Sequence, residues 1–487
     1  MHDPITIHPA NSRVFLFRNR PRVFVCATEH YGAVLNRPFR FEPYLREAAR
    51  CSQTLTRLFL LFRELQSPRN PYSTCKPESA DYISPFARTG PGLALDGEPK
   101  FDLSRWNEEF FARLHHFIAM AGEHDVAVEV VLLSNTYGES VWALNPMNPA
   151  NNVNAMSQFA WPEYMTLKQE AVWQWQKRYI EKVVDELNGY DNFVYEVCNE
   201  PIGGYAHQGG AITRQDVDAW QTRIMELIRS TEGKLGRRHL IAGQQASFID
   251  PWQQPMTESF RDLGFDIVNN HPLPNTIYRD KSYDLGPFMS KRLNLQQVRD
   301  FCLAAAGESK PLNLDEDNVA TCYADREAWT IHRKRAWMAL MCGCHYDCID
   351  FSIRVGREAG TEESRVAIRS WMGILSRFIH SLDVVNAKPI PGCVSQAPDH
   401  VLTATLGVPG RDYAIYIADR RERDQAGAGD AIAGSLIADI EPGAYGLSCF
   451  SPTAGMESPI LPVDGGRGMP IRLPVFEHDI VVRLRRM

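Results

Sequence analysis

The sequence predicts an α/β fold, a (β/α)8 TIM barrel followed by a C-terminal all-β sandwich, and three observations predict it. Between residues 23 and 382, short β-branched runs bounded by turn residues alternate with longer segments of helical period, the pattern of parallel strands joined by crossover helices. After Leu382 the helical period stops and short alternating strands with turns take over. The length of 487 residues exceeds the roughly 250–300 at which a single hydrophobic core usually divides. The expected division is residues 1–384 as the barrel with an N-terminal β-hairpin and residues 385–487 as the sandwich.

Strands are predicted at 23–27, 55–59, 126–133, 193–198, 239–242, 266–270, 312–315 and 348–351. The first four are nearly continuously apolar, as strands covered on both faces should be. Helices with apolar residues at three- and four-residue spacing are predicted over 106–123, 167–187, 215–231, 326–342 and 364–382, the signature of a face packed on a sheet. Residues 5–22 read as a hairpin, placed either under the barrel or against the β module. Two connections are long, 63–100 and 134–166, and rich in Pro, Asn and aromatic residues. Insertions of this kind are commonly functional, so they are expected to wall a cleft, with Trp142, Trp161 and the stretch Asn145-Pro146-Met147-Asn148-Pro149 facing it. Beyond the barrel, strands are expected at 401–406, 413–417, 445–450, 470–473 and 480–484. The segment Ala426-Gly427-Ala428-Gly429 lacks the context of a phosphate loop and reads as a hairpin turn.

Hydrophobic residues make up 44% and charged residues 23% of the chain, the balance of a soluble globular protein. A net charge of −7 and pI near 6.1 provide no field that would concentrate a polyanion or hold the chain to an acidic membrane. A neutral substrate is expected, with neither nucleic acid nor membrane as partner. No apolar run approaches the roughly 18 residues of a membrane span, and the start Met1-His2-Asp3-Pro4 lacks the pattern of an export signal. Eleven cysteines is an odd number, and Cys26, Cys198 and Cys302 fall within predicted elements, so reduced thiols and an intracellular setting are expected. Cys342, Cys344 and Cys348 with His345 lack the paired Cys-x-x-Cys elbows of a zinc site and read as buried thiols. No metal or other cofactor is expected.

In a barrel of this kind the polar residues just after each strand carry the chemistry. The strand Phe193-Val194-Tyr195-Glu196-Val197-Cys198 ends in Asn199-Glu200-Pro201, which puts Glu200 on the rim and lets Pro201 stop the ladder. Three strands further around, Lys310-Pro311-Leu312-Asn313-Leu314-Asp315-Glu316-Asp317 also ends in carboxylates. Cleaving a glycosidic bond needs such a pair. One acid protonates the departing oxygen and, in the retaining route, a carboxylate about 5–5.5 Å away captures the anomeric carbon. Glu200 suits the acid/base, since its pKa should rise beside an ionised nucleophile and fall once that charge is consumed. Glu316 is the expected nucleophile, although strand alternation leaves Asp315 or Asp317 open as the inward group.

These two strand endings resemble the fourth- and seventh-strand motifs of the clan A glycoside hydrolases, of the family 5 cellulase and mannanase type, over residues 23–382. The resemblance implies a retaining hydrolase acting on an oligo- or polysaccharide, with Glu200 as acid/base and Glu316 as nucleophile. It also implies roles for Arg57, which would keep Glu316 ionised, and for Asn199, which would bond the sugar hydroxyl next to the reacting carbon. His271 resembles the clan's histidine after the sixth strand, but Leu273 stands where a tyrosine usually follows, with Tyr278 as the stand-in. The eighth strand offers Asp350-Phe351-Ser352 in place of the family's frequent Trp, so stacking on a sugar face falls to Phe351, Trp142 or Trp161. His30, in Glu29-His30-Tyr31, is a further subsite candidate. The Asp96-Gly97 turn, the Asp102-Leu103 helix entry and the segments Tyr413 to Ile417, Ser451-Pro452-Thr453-Ala454-Gly455 and Asp479-Ile480-Val481-Val482 resemble bacterial barrel hydrolases whose β-sandwich is named for collagen binding. A packing or carbohydrate-holding role is the expectation here. Two competing readings are a catalytically inactive carbohydrate-binding barrel, favoured if Glu200 or Glu316 turned from the cleft, and a metal-dependent barrel hydrolase. The latter would need His pairs at strand ends, where the first strand offers one.

Overall fold

The computed structural model describes residues 2–29, 32–61, 81–136, 138–201, 212–244, 263–270, 294–317, 326–349, 362–422 and 425–487. The chain opens with β1 (Thr6–His8), β2 (Asn11–Phe17) and β3 (Arg20–Arg22), an antiparallel three-stranded sheet. The barrel strands β4 (Val25–Glu29) and β5 (Leu55–Phe59) follow, then a hairpin of β6 (Phe86–Leu93) and β7 (Pro99–Trp106). The remaining barrel strands are β8 (Ala127–Ser134), β9 (Phe193–Asn199), β10 (Ile241–Gly243), β11 (Ile267–Asn269), β12 (Leu312–Asp317) and β13 (His345–Ile349). All eight pair in one parallel sheet, ordered β4, β13, β12, β11, β10, β9, β8, β5.

The ring is completed between β4 and β5 partly by side chains. Thr54 N donates to Val25 O (3.1 Å), while the Thr54 hydroxyl accepts from Val25 N (2.9 Å) and donates to Val23 O (2.8 Å). Gln53 Oε1 accepts from Ala27 N (2.9 Å). These residues satisfy backbone groups that an interrupted ladder would leave buried and unpaired.

Among the described residues the helices are α1 (Phe41–Arg50), α2 (Glu108–Glu123), α3 (Glu139–Trp142), α4 (Glu170–Leu187), α5 (Arg214–Leu235), α6 (Leu295–Ala305), α7 (Arg326–Met341) and α8 (Glu362–Ile379). Their logic is that of the sequence pattern. In α4 the buried Val172, Gln176, Tyr179, Val183 and Leu187 recur at three or four residues, one stripe against the sheet. α5 begins at a Thr213/Asp216 capping box and ends at Gly236 with φ 91°, so both sets of unpaired end groups are met locally.

The N-terminal sheet covers the bottom of the barrel. Ile5, Phe15 and Phe17 pack on Phe24, Cys26, Leu55, Ala127, Val194, Ala242 and Ile267, the inward residues of the strands' first turns. Arg18 pairs with Asp191 (2.7 Å), and Arg20 and Arg22 with Asp125.

Three expectations need correction. The 63–100 connection includes β6 and runs on into β7, a hairpin turned at Gly97 with φ 84°, and Asp102 and Leu103 lie in β7, with the helix starting at Glu108. The last barrel strand runs from His345 and not from residue 348. Its polar His345 and Asp347 disguised it, yet both are buried. His345 Nδ1 accepts from Phe24 N and Nε2 donates to Arg13 O, both at 2.9 Å, so the ring is a neutral rivet between β4 and the N-terminal sheet. Burial pushes its pKa down to about 3.

The C-terminal strands are β14 (Lys388–Pro389), β15 (Val394–Gln396), β16 (Val401–Val408), β17 (Asp412–Asp419), β18 (Ile432–Ala438), β19 (Gly443–Phe450), β20 (Leu461–Gly465), β21 (Met469–Phe476) and β22 (Asp479–Arg486). They form a six-stranded sheet, β14-β16-β17-β22-β19-β20, and a three-stranded one, β15-β18-β21. Both faces of the larger sheet are buried at its central strands β17 and β22. From β17, Tyr413, Ile415 and Ile417 enter the space between the sheets, while Ala414, Tyr416 and Ala418 join the core shared with α7 and α8. The third correction is the Ala426–Gly429 turn, which links β17 and β18 in different sheets and is no hairpin. The nine described cysteines are free thiols, and no helix among the described residues is long and apolar enough to cross a membrane.

Candidate active site

Above the apolar floor, the inward residues of the barrel turn polar and charged. Arg57 on β5 is fully buried, and its register partner on β8 is Glu129. Around them stand Glu196 from β9, Asn269 from β11, Asp315 from β12 and Asp347 from β13, all between 0 and 2% exposed. Arg57 is the cation at the centre. Its Nε and Nη2 donate to Glu196 at 2.6 to 2.9 Å, its Nη2 to Asn199 Oδ1 at 3.0 Å and its Nη1 to Glu316 Oε2 at 3.0 Å. Asp315 Oδ2 lies 3.4 Å from Nη2. The two-oxygen grip of Glu196 fixes the plane of the guanidinium, and the plane decides what Nη1 reaches.

So many acids around one cation cannot all be ionised in a dry interior. Burial, then the charges of Glu196 and Asp315, push Glu129 well above the ordinary carboxylate range against the pull of Arg57 and of the Asn269 amide, which donates to it at 2.7 Å. Burial, with Asp315 and Glu316, pushes Asp347 up to about 7 against the pull of Arg57 and Cys26. At both acids the surroundings favour the protonated form.

Glu200 and Glu316 sit at the upper edge of this layer, 7% and 5% exposed. Both have left-handed backbones, φ 47° at Glu200 and φ 57° at Glu316. That region is costly for a residue with a Cβ, and at Glu200 the following Pro201 restricts the backbone further. Strain of this kind concentrates at functional sites held by their surroundings. On β12 the strain coincides with a bulge, since Leu314 faces Tyr346 and Asp317 faces Cys348, three residues against two. The extra residue answers the alternation question for the three consecutive acids. Asp315 points into the barrel, Glu316 reaches Arg57 from the rim, and Asp317 goes outward to Arg335 on α7 (3.0 Å) and the Tyr346 hydroxyl (2.6 Å).

Asn199 spans two strands, accepting from Arg57 and reaching Ser134 Oγ with Nδ2 at 3.5 Å. Next to it, Leu61, Ser134, Asn135, Thr136, Val141, Asn145 and Tyr164 line a small recess at the end of β8. His30 and His271, like Tyr278 and Phe351, lie outside the described residues. Trp142, expected from the sequence as a platform for a sugar, is 4% exposed and packed against Phe159 and Tyr164 of the same loop in the large apolar core of the barrel. Trp161 is buried in that core as well. The asparagines of this loop also turn inward. Asn148 Nδ2 donates to Trp142 O (3.0 Å), and Asn151 Nδ2 to Ala143 O and Asn145 O (2.9 Å each). They hold the long connection in shape without any strand or long helix. Glu129, Glu196 and Asp347 were not read from the sequence as site residues. At Glu129 and Glu196 the signal was present, as single acids inside mainly apolar strands whose parity matches the inward positions, whereas Asp347 lies before the predicted start of its strand.

Residues 90–308 match the family described as Cellulase (glycosyl hydrolase family 5), a span that includes Asn199 and Glu200 and ends before Glu316. No curated protein matches the chain. Among solved structures, a glycoside hydrolase family 5 protein from Bacteroides vulgatus superposes with a TM-score of 0.63 at 11% identity, over 99% of this chain and 94% of the other. The endo-1,4-β-mannanase of Rhizomucor miehei gives 0.51 at 12% identity, over 76% and 98%, and a family 5 mannosidase of the same organism 0.51 at 10%, over 78% and 98%. At such identities the superpositions speak for the fold alone. Taken with the family match, they define a glycosidase. More narrowly, the barrel superposes on those of family 5 structures, and a β-sandwich follows it.

Proposed function

We propose that the protein is a retaining glycoside hydrolase in which Glu316 is the nucleophile and Glu200 the acid/base. The observation that carries the reading is the single guanidinium of Arg57. It is gripped by Glu196 and bonded to Asn199 on the strand that leads to Glu200, and it donates across the barrel to Glu316. A carboxylate bonded to a buried cation is held as the anion, the form a nucleophile needs. Glu316 attacks the anomeric carbon while Glu200 gives its proton to the departing oxygen. Glu200 then removes a proton from the water that displaces Glu316, so that two inversions leave the configuration unchanged. In this scheme Asn199 bonds the hydroxyl beside the reacting carbon, and His30, His271 and the long loops contribute further contacts to a carbohydrate. No cofactor takes part in this scheme.

The test is a panel of 4-nitrophenyl and 2,4-dinitrophenyl β-mannosides, β-glucosides, β-galactosides and β-xylosides, with products followed by NMR. Wild type should release sugar of retained configuration. Glu200→Ala should keep activity toward the better leaving group and be rescued by azide with retention, whereas azide should rescue Glu316→Ala with inversion. Inverted product from wild type would overturn the retaining assignment.

A further inference from the structure

The outward acid of the nucleophile strand joins two parts of the molecule that the glycosidase mechanism leaves unconnected. Asp317 is fully buried. Besides Arg335 and Tyr346 it faces His332, whose Nδ1 lies 3.7 Å from Oδ2 and 3.2 Å from the Tyr346 hydroxyl. Burial alone would raise its pKa, but Arg335, His332 and the Tyr346 hydroxyl hold it well below the ordinary carboxylate range, so it stays an anion. Its backbone directly follows the left-handed Glu316 at the bulge. A residue in a strained conformation returns to an easier one unless its neighbours are fixed, and Asp317 is the fixed neighbour.

His332 and Arg335 lie three residues apart on α7 and so share a face. The residues between and beyond them turn to the sandwich. Arg333 makes a two-oxygen pair with Asp479 of β22 (2.8 and 3.0 Å), which also accepts from the Tyr416 hydroxyl (3.0 Å). Lys334 Nζ donates to the carbonyls of Asp419 and Arg421, both at 2.9 Å. Trp337 stacks on Tyr416 with centroids 5.6 Å apart and planes 19° apart. One turn of helix thus holds the C-terminal sheet on one side and the strand of Glu316 on the other.

We propose that Asp317 is a positioning residue for the nucleophile and that the C-terminal sandwich, by clamping α7, holds the Asp317 anchor and with it the catalytic geometry of Glu316. The proposal rests on the glycosidase reading and gives the sandwich a part in catalysis apart from any carbohydrate or collagen of its own.

The experiment compares Asp317→Asn and Asp479→Asn with wild type on the best substrate of the aryl glycoside panel, with thermal unfolding and crystal structures of each. Asp317→Asn should lower kcat by about tenfold to a hundredfold with KM within about twofold, the pattern of a nucleophile displaced by a fraction of an ångström. Asp479→Asn, which touches only the sandwich side of α7, should lower kcat by roughly twofold to tenfold in the same pattern. Unchanged kcat in folded Asp317→Asn, or losses that follow only the folded fraction, would overturn the proposal, and unchanged kcat in Asp479→Asn would remove the sandwich from it. A wild type inactive on the whole panel would count against the glycosidase reading, and the crystal structures would then decide separately. Glu316 losing its left-handed backbone or its Arg57 bond in Asp317→Asn supports the positioning role, and Glu316 retaining both refutes it.

Discussion

Asp347 shows how a single buried acid ties the site to solution conditions. Its pKa is about 7 in the folded barrel, raised by burial and by Asp315 and Glu316, against about 3.9 in an unfolded chain. The folded state therefore holds a proton that the unfolded state has released between these values. Its stabilising contribution is complete below about pH 4 and is lost as pH rises toward 7 and beyond. Asp347→Asn, which keeps the shape and cannot ionise, should flatten that part of the urea stability profile and make the variant more stable relative to wild type at pH 8 than at pH 5. Equal differences at the two pH values would show that Asp347 does not titrate in this range. Glu200 and Glu316 were legible in the sequence because each stands at the end of a strand, whereas Arg57 and Asn199 were reached through the family resemblance. Their inner neighbours Glu129, Glu196 and Asp347 were harder to see, since an acid inside an apolar run looks like an interruption until the closed ring brings Arg57 opposite.

At the level of elements, the barrel depends on how β4 and β5 meet without a regular ladder. Thr54→Val keeps the branched shape but removes the oxygen that serves Val25 N and Val23 O. An unpaired buried backbone group costs about 1–3 kcal/mol, so the variant should lose about that much in urea unfolding. A loss below roughly 0.5 kcal/mol, the range of ordinary surface changes, would mean that the seam does not need this side chain. The strand and helix alternation was readable, with β5 predicted over the same residues that form it. The bulge in β12 was not. Alternation alone would send Asp315 and Asp317 to one face, and only pairing with β13, three residues against two, separates them. The hairpin of β6 and β7 was likewise hidden, because its residues beyond Phe86 are largely exposed and carry no apolar run to announce a strand.

For the whole molecule, a shared core is the main fact. Trp337, Met338, Leu375 and Phe378 of the barrel helices lie in one apolar cluster with Leu402, Ala404, Leu406, Tyr416 and Val481 of the sandwich. Removing residues 385–487 would expose that face and leave Arg333 and Lys334 without the groups they bond. We expect the truncated chain to aggregate or to expose apolar surface to a dye such as ANS. A soluble barrel with cooperative unfolding and wild-type activity would show that the two parts are independent. Periodicity established by itself that an eightfold α/β barrel precedes a β module and that Glu200 and Glu316 close their strands, because spacing and strand endings are local properties of the chain. How three adjacent acids divide between the barrel, its rim and α7, which asparagines and tryptophans are buried, and what the sandwich rests on were settled by tertiary contacts, since register, bulges and packing partners join residues hundreds of positions apart.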